Sequence, residues 1–126
     1  MAPSRVGFFR ELRHGNADGP SIRDSQRNSA QPDETRIVQY LNAGATLAAT
    51  GSVVDDALDV TKKAVAPLEI VTDGIWVWPR DLAYYVEHYH IVLPSAFVEY
   101  MRTRSWNPPS LSREDLIRIE GEFLMN

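Results

Sequence analysis

The pair Asp73-Gly74, set between the β-rich runs Pro67–Thr72 and Ile75–Trp78, restricts the fold more than any other feature of the chain. Such a pair between two strands predicts a hairpin with a two-residue turn, in which both central residues take positive φ. Trp78-Pro79 then ends the second strand, and Pro79 suits the first turn of a helix, where its missing N–H is no loss. Pro67 to His90 therefore reads as strand, tight turn, strand and helix. This stretch also holds two of the three tryptophans, three of the five tyrosines and two of the three histidines, so the residues most able to bind something are concentrated there.

A two-residue turn fixes a register in which Thr72 pairs with Ile75, Val71 with Trp76, Ile70 with Val77 and Glu69 with Trp78. Side chains alternate along a strand. Leu68, Ile70, Thr72, Ile75 and Val77 share one face, and Glu69, Val71, Trp76 and Trp78 share the other. The aliphatic face is expected in the core, and the tryptophan face is expected to be half-covered. In the helix that follows, Leu82, Tyr85, Val86 and Tyr89 recur at helical spacing, which turns Arg80, Tyr84, Glu87 and His88 outward.

Other segments complete an α+β pattern. DETRIVQYLNAG after Pro32 predicts a helix with Ile37, Val38 and Leu41 inward and Gly44 as its C-terminal stop. Ala45–Thr50 reads as a strand that Gly51-Ser52 interrupts. Asp55–Val60 is open between a strand and a helical turn. A helix after Pro94 buries Phe97, Val98 and Met101. The last helix starts at Ser112 with Asp115 completing a capping box, and Leu111 with Leu116 forming a hydrophobic staple. The expected architecture is a small antiparallel sheet with a central hairpin at about 67–78 and four or so helices packed on it. Residues 32–126 form its single globular domain. Residues 1–31 are expected to be loop-rich or partly disordered, because Ile22 is the one large apolar residue between His14 and Gln31.

Composition excludes several function classes. The chain has 126 residues, enough for one core and too few for two. Its net charge of −4 argues against general affinity for nucleic acid or an anionic membrane surface. No run approaches the ~20 apolar residues of a membrane span, and the first residues lack the apolar stretch of a signal peptide. There is no cysteine, which removes disulfides and thiol chemistry and suits the cytoplasm. No phosphate-binding glycine loop or nucleophile signature is present, so no cofactor is implied. His88 and His90 on one helix point about 200° apart and cannot share a metal.

Two readings of function remain. Aromatic side chains beside charges, here Trp76, Trp78, Arg80, Tyr84, Glu87 and His88, have the composition of a partner-binding surface. The alternative is a small hydrolase or metal-dependent enzyme in which Asp55, Asp56, Asp59, His88 and His90 converge in one pocket. The run TDGIWVWPRDLAYYVEHYHIVLP (Thr72 to Pro94), with GPSI (Gly19 to Ile22) and a short helix ending in Gly44, resembles a group of small uncharacterised bacterial proteins. These carry a TDG-x-W-x-WP…YYV segment and resemble immunity-type proteins encoded near secreted toxins. The resemblance spans about residues 6 to 106. It implies a non-enzymatic cytoplasmic protein that binds another protein, such as a basic toxin domain, by charge complementarity. It carries over no catalytic residue.

Overall fold

The hairpin around Gly74 lies in the middle of the sheet in the computed structural model, which describes residues 2–125. Four strands, β1 (Ser4–Arg5), β2 (Ala45–Val54), β3 (Ala66–Thr72) and β4 (Trp76–Pro79), are ordered β1-β4-β3-β2. β3 pairs antiparallel with both β2 and β4, while β1 joins β4 in parallel, so the sheet is mixed rather than purely antiparallel. Helices α1 (Glu34–Ala43), α2 (Leu82–Tyr89), α3 (Ser95–Thr103) and α4 (Arg113–Leu124) complete an α+β fold, with a 3₁₀ turn at Ile22–Ser25. α4 has the predicted capping box: Ser112 accepts from the Asp115 amide, and Asp115 accepts from the Ser112 amide.

The hairpin turn is longer than the two-residue reading. Thr72 pairs with Val77, Val71 with Trp78 and Ile70 with Pro79, a shift of two residues. The cause is side-chain hydrogen bonding inside the turn. Asp73 Oδ1 accepts the amides of Ile75 (2.9 Å) and Trp76 (2.7 Å), and Thr72 Oγ1 donates to the Trp76 carbonyl at 2.7 Å. These bonds hold a wider loop in which Gly74 (φ +101°) takes positive φ and Asp73 does not. A shift of two preserves which side chains share a face.

The two faces, however, are used the other way round. Val71 and Trp78 are buried in the main cluster with Ile37, Tyr40 and Leu41 of α1, Leu82, Tyr85 and Val86 of α2, and Phe97 and Met101 of α3. The tryptophan face is thus the principal core face. Of the opposite face, Thr72 and Val77 are buried, Leu68 and Ile70 are half-buried, and Ile75 is 52% exposed. α4 lies over this second face: it packs on β2 and Leu111 reaches toward Gly74, while Phe123 sits under Arg5 of β1. Three helices can enclose an indole that one helix could not, so the bulky face takes the deeper side.

Gly44 illustrates the packing. Its backbone is extended (φ −63°), so it is not present for positive φ. A Cβ there would lie 2.5 Å from Val71 Cγ1 and 2.6 Å from Trp78 Cζ2. The absent side chain lets the end of α1 pass directly over Trp78, whose Nε1–H donates to the Leu41 carbonyl at 3.2 Å.

The N-terminal segment is part of the fold. Val6, Phe9, Leu12 and Ile22 all enter the main core cluster, although the connecting chain is largely loop. Glu11 fastens it: its carboxylate accepts from the Ser21 hydroxyl and, at 2.8 Å, from the Ile22 amide. His14 packs beside the start of α2, its Nε2 3.4 Å from Oδ1 of the buried Asp81, with no hydrogen bond between them. Ile22 was the residue that composition left isolated in a polar stretch, and it is fully buried.

Candidate functional site

The outward face of α2 and the neighbouring face of α1 enclose a groove. One hollow of about 410 Å³ is lined by Val38 and Asn42 from α1, Val65 to Pro67 leading into β3, and Arg80, Ala83, Tyr84, Glu87 and His88. A second, of about 310 Å³, is lined by Glu34, Thr35, Val38, Gln39, Asn42 and Glu87. The two share Val38, Asn42 and Glu87, so they form one groove along α1 and α2. α2 runs beside α1 because each buries its apolar stripe in the same core, Ile37 and Leu41 from one and Leu82 and Val86 from the other.

Each polar residue of the groove is set by a specific bond. Arg80 is a clamp: Nε–H donates to Glu69 Oε1 at 3.1 Å, Nη1 to the Asn42 carbonyl at 3.1 Å and Nη2 to Thr46 Oγ1 at 2.8 Å. It joins the end of α1 to β2 and β3, and its charge is already matched by Glu69. Tyr84 donates its hydroxyl to Asp56 Oδ2 at 2.7 Å, and its ring stacks on His88 with centroids 4.2 Å apart. His88 Nδ1 lies 3.0 Å from the Tyr84 carbonyl. A carbonyl can only accept, so Nδ1 carries the proton and Nε2 of the neutral ring is left as an acceptor. Glu87 is 63% exposed beside it. Farther along, Glu34 accepts from His90 Nδ1 at 2.8 Å. The groove therefore presents acceptors, the Glu87 carboxylate and His88 Nε2, over a half-apolar floor of Val38 and Ala83.

The six residues expected to form a binding surface divide into two groups. Arg80, Tyr84, Glu87 and His88 line the groove together. The tryptophans do not join them. Trp78 is fully buried, enclosed by Tyr40 and Phe97 with ring centroids 6.2 and 5.3 Å away. Trp76 is half-buried and stacks on Phe97 at 4.8 Å. Their face turns toward α1 and α3, which is why it offers no continuous aromatic surface outside.

The five residues of the enzyme reading do not assemble in one concave site. Asp55 is exposed and pairs with Lys63 at 3.6 Å. Asp59 accepts from the Thr61 hydroxyl and amide. His90 ends α2 in a left-handed conformation and reaches Glu34, away from His88. Asp56 is buried and fully employed. It accepts from Tyr84 and Tyr89 through Oδ2, and from the amides of Leu58 and Asp59 through Oδ1. Burial works to raise its pKa, but the two hydroxyls and two amides outweigh it and hold the carboxyl below its ordinary range. The same bond pushes the Tyr89 hydroxyl up to about 12. Among the described residues, no group of three His, Cys, Asp or Glu side chains could hold a metal ion.

Asp73 has an equally complete local role. Its Oδ2 accepts from Tyr40 at 2.6 Å and its Oδ1 caps the turn. Burial raises its pKa, against these bonds.

Sequence reasoning found the α2 side of the groove through helical period and missed the α1 side. Helical period assigns Val38 to the buried stripe, and Asn42 carries no signal. Both sit at i and i+4 on α1, so one side of that helix could be drawn from sequence, but not that α2 would lie beside it. Compared with protein-family models, with curated proteins and with solved structures, the chain finds no match.

Proposed function

We propose that the protein is a non-enzymatic binding module whose groove between α1 and α2 receives a basic side chain of another protein. The observation that carries this reading is the balance of charge in the groove. Its guanidinium is consumed by Glu69, Asn42 and Thr46, while the Glu87 carboxylate is exposed beside His88, whose Nε2 is the acceptor of the neutral ring. An arginine or lysine would lay its aliphatic stem on Val38 and Ala83 and donate to those acceptors. A phosphate or an anionic membrane surface would meet the wrong charge.

The resemblance to immunity-type proteins leads to the same class of partner, because a toxin domain that acts on nucleic acid carries a basic surface. No described helix is long and apolar enough to cross a membrane. The absence of cysteine suits a reducing compartment such as the cytoplasm.

A pull-down from the native host, with the products of neighbouring genes in the sample, tests the proposal when run in parallel with Glu87→Lys. The expected result is a basic protein recovered by the wild type, lost with the charge reversal and weakened by salt. Equal recovery by both proteins would overturn the assignment to this groove.

A further inference from the structure

Among the described residues, the buried side-chain polar atoms without a hydrogen-bond partner all belong to one pair: both ring nitrogens of His14 and Oδ1 of Asp81. Asp81 is the more telling member. Its side chain is 2% exposed, and although it stands at the N-cap of α2 it bonds none of the first-turn amides. His14 covers Oδ1 without satisfying it, since Nε2 lies 3.4 Å away with no hydrogen bond between them. Taking a carboxylate out of water without giving it donors is costly, and such a group is an exception in a folded protein. Asp81 also lines a hollow of about 270 Å³ where the N-terminal segment, the end of β2 and the start of α2 meet.

The charge of that hollow is one-sided. Glu11, Asp55, Asp56 and Asp81 line it against Arg13. Glu11 is satisfied by Ser21 and the Ile22 amide, Asp55 by Lys63 and the Ala64 amide, and Asp56 by two hydroxyls and two amides. Asp81 is the carboxylate left with an orphaned oxygen. The Tyr85 hydroxyl, which accepts from the Ala57 amide at 2.8 Å, responds to the same surroundings. Burial raises its pKa, and the charges of Asp81 and Asp56 add to the rise.

We propose that this hollow binds the primary ammonium of an aliphatic amine, with its charge at the Asp81 carboxylate and its stem along Leu12, Val54 and Ala57. An ammonium brings three donors on a compact charge, so it serves a single carboxylate from one side. A guanidinium fits less well, because its planar fork is matched to two open oxygens and His14 lies against one of them. A neutral donor would leave the buried charge uncompensated. The hollow shares no lining residue with the α1–α2 groove, so this site stands or falls apart from that reading.

The test is a titration of the isotopically labelled full chain with butylammonium, followed by amide shifts, with butanol and butyrate in parallel at matched ionic strength. The expected result is saturable shifts at Leu12, Ala57, Asp81 and Tyr85 with butylammonium, and none with the other two. Asp81→Asn should weaken binding about tenfold or more. Glu87→Lys, in the groove, should leave it unchanged. Arg13→Ala, at an exposed position, removes the cation from the lining and should tighten binding about two- to fivefold, which decides the matter should Asp81→Asn not fold. Nα-acetyl-lysine methylamide separates two sources of the ammonium. Shifts at the same residues assign a lysine side chain of another protein, and shifts with butylammonium alone assign a free amine. No saturable shift with butylammonium, equal shifts with butanol, binding that survives Asp81→Asn, or binding that Arg13→Ala fails to tighten would each overturn the proposal.

Discussion

Trp78 at the end of β4 is closed in by Tyr40 and Phe97 and roofed by the end of α1, with its Nε1–H spent on the Leu41 carbonyl. Tyr84, a short way along the chain in α2, turns outward, and its hydroxyl is tied down while its ring face stacks on His88 at the mouth of the groove. The two regions are built from the same kinds of residue, aromatic rings beside charged groups. What separates them is how many elements close over each. Three helices converge on the Trp78 face, whereas the outer face of α2 has α1 on one flank and the loop carrying Asp56 on another. A ring enclosed on all sides contributes stability, and a ring held at one atom contributes a shaped surface.

That contrast is most exposed to failure at Trp78. Trp78→Ala should cost about 3–5 kcal/mol, measured by chemical denaturation, since it empties the space shared by three helices. Gly44→Ala should cost about 1–3 kcal/mol, because the added methyl enters the space of Val71 and Trp78. A small effect from either would mean that the α1 end does not rest on the indole.

Asp56 is the atom-level tether of the outward-facing ring, holding the Tyr84 hydroxyl beside that of Tyr89, so its removal sharpens the comparison. Asp56→Asn should cost about 1.5 kcal/mol at neutral pH, from weakened bonds to Tyr84, Tyr89 and two amides. The sign of its pH dependence follows from a folded-state pKa below the ordinary 3.8. Such a group stabilises the fold above its unfolded pKa and loses that contribution as pH falls through the lower folded value. The gap between wild type and variant should be full at neutral pH and close on strong acidification. Parallel thermal melts would check this, and a gap that widened in acid would contradict it. His88→Ala stands at the small end. It should change stability by less than about 0.5 kcal/mol, because the ring is partly exposed and bonded only within α2.

These positions also mark where the sequence was readable. The hairpin, the α2 stripe and the α4 cap follow from periods and pairs of neighbouring residues, and each is where it was expected. The hairpin register depends on Asp73 and Thr72 side chains choosing turn amides and a carbonyl, a competition that the Asp-Gly signal does not reveal. Which face lies deeper depends on how many helices gather on each side, a property of the whole chain. Val6, Phe9, Leu12 and Ile22 have neither helical nor strand period, so an N-terminal segment that supplies core residues reads from sequence as loop-rich or partly disordered. In the groove, Arg80, Tyr84, Glu87 and His88 were legible from one helix, while Val38 and Asn42 required knowing which helix lies alongside.

The account rests on the α1–α2 groove accepting a basic group, and a titration of isotopically labelled protein with an arginine-rich peptide tests that directly. The predicted result is a saturable set of amide shifts at Val38, Asn42, Tyr84, Glu87 and His88, weakened by salt and abolished in Glu87→Lys. Shifts spread over other acidic residues, or shifts at the groove that survive the charge reversal, would contradict it.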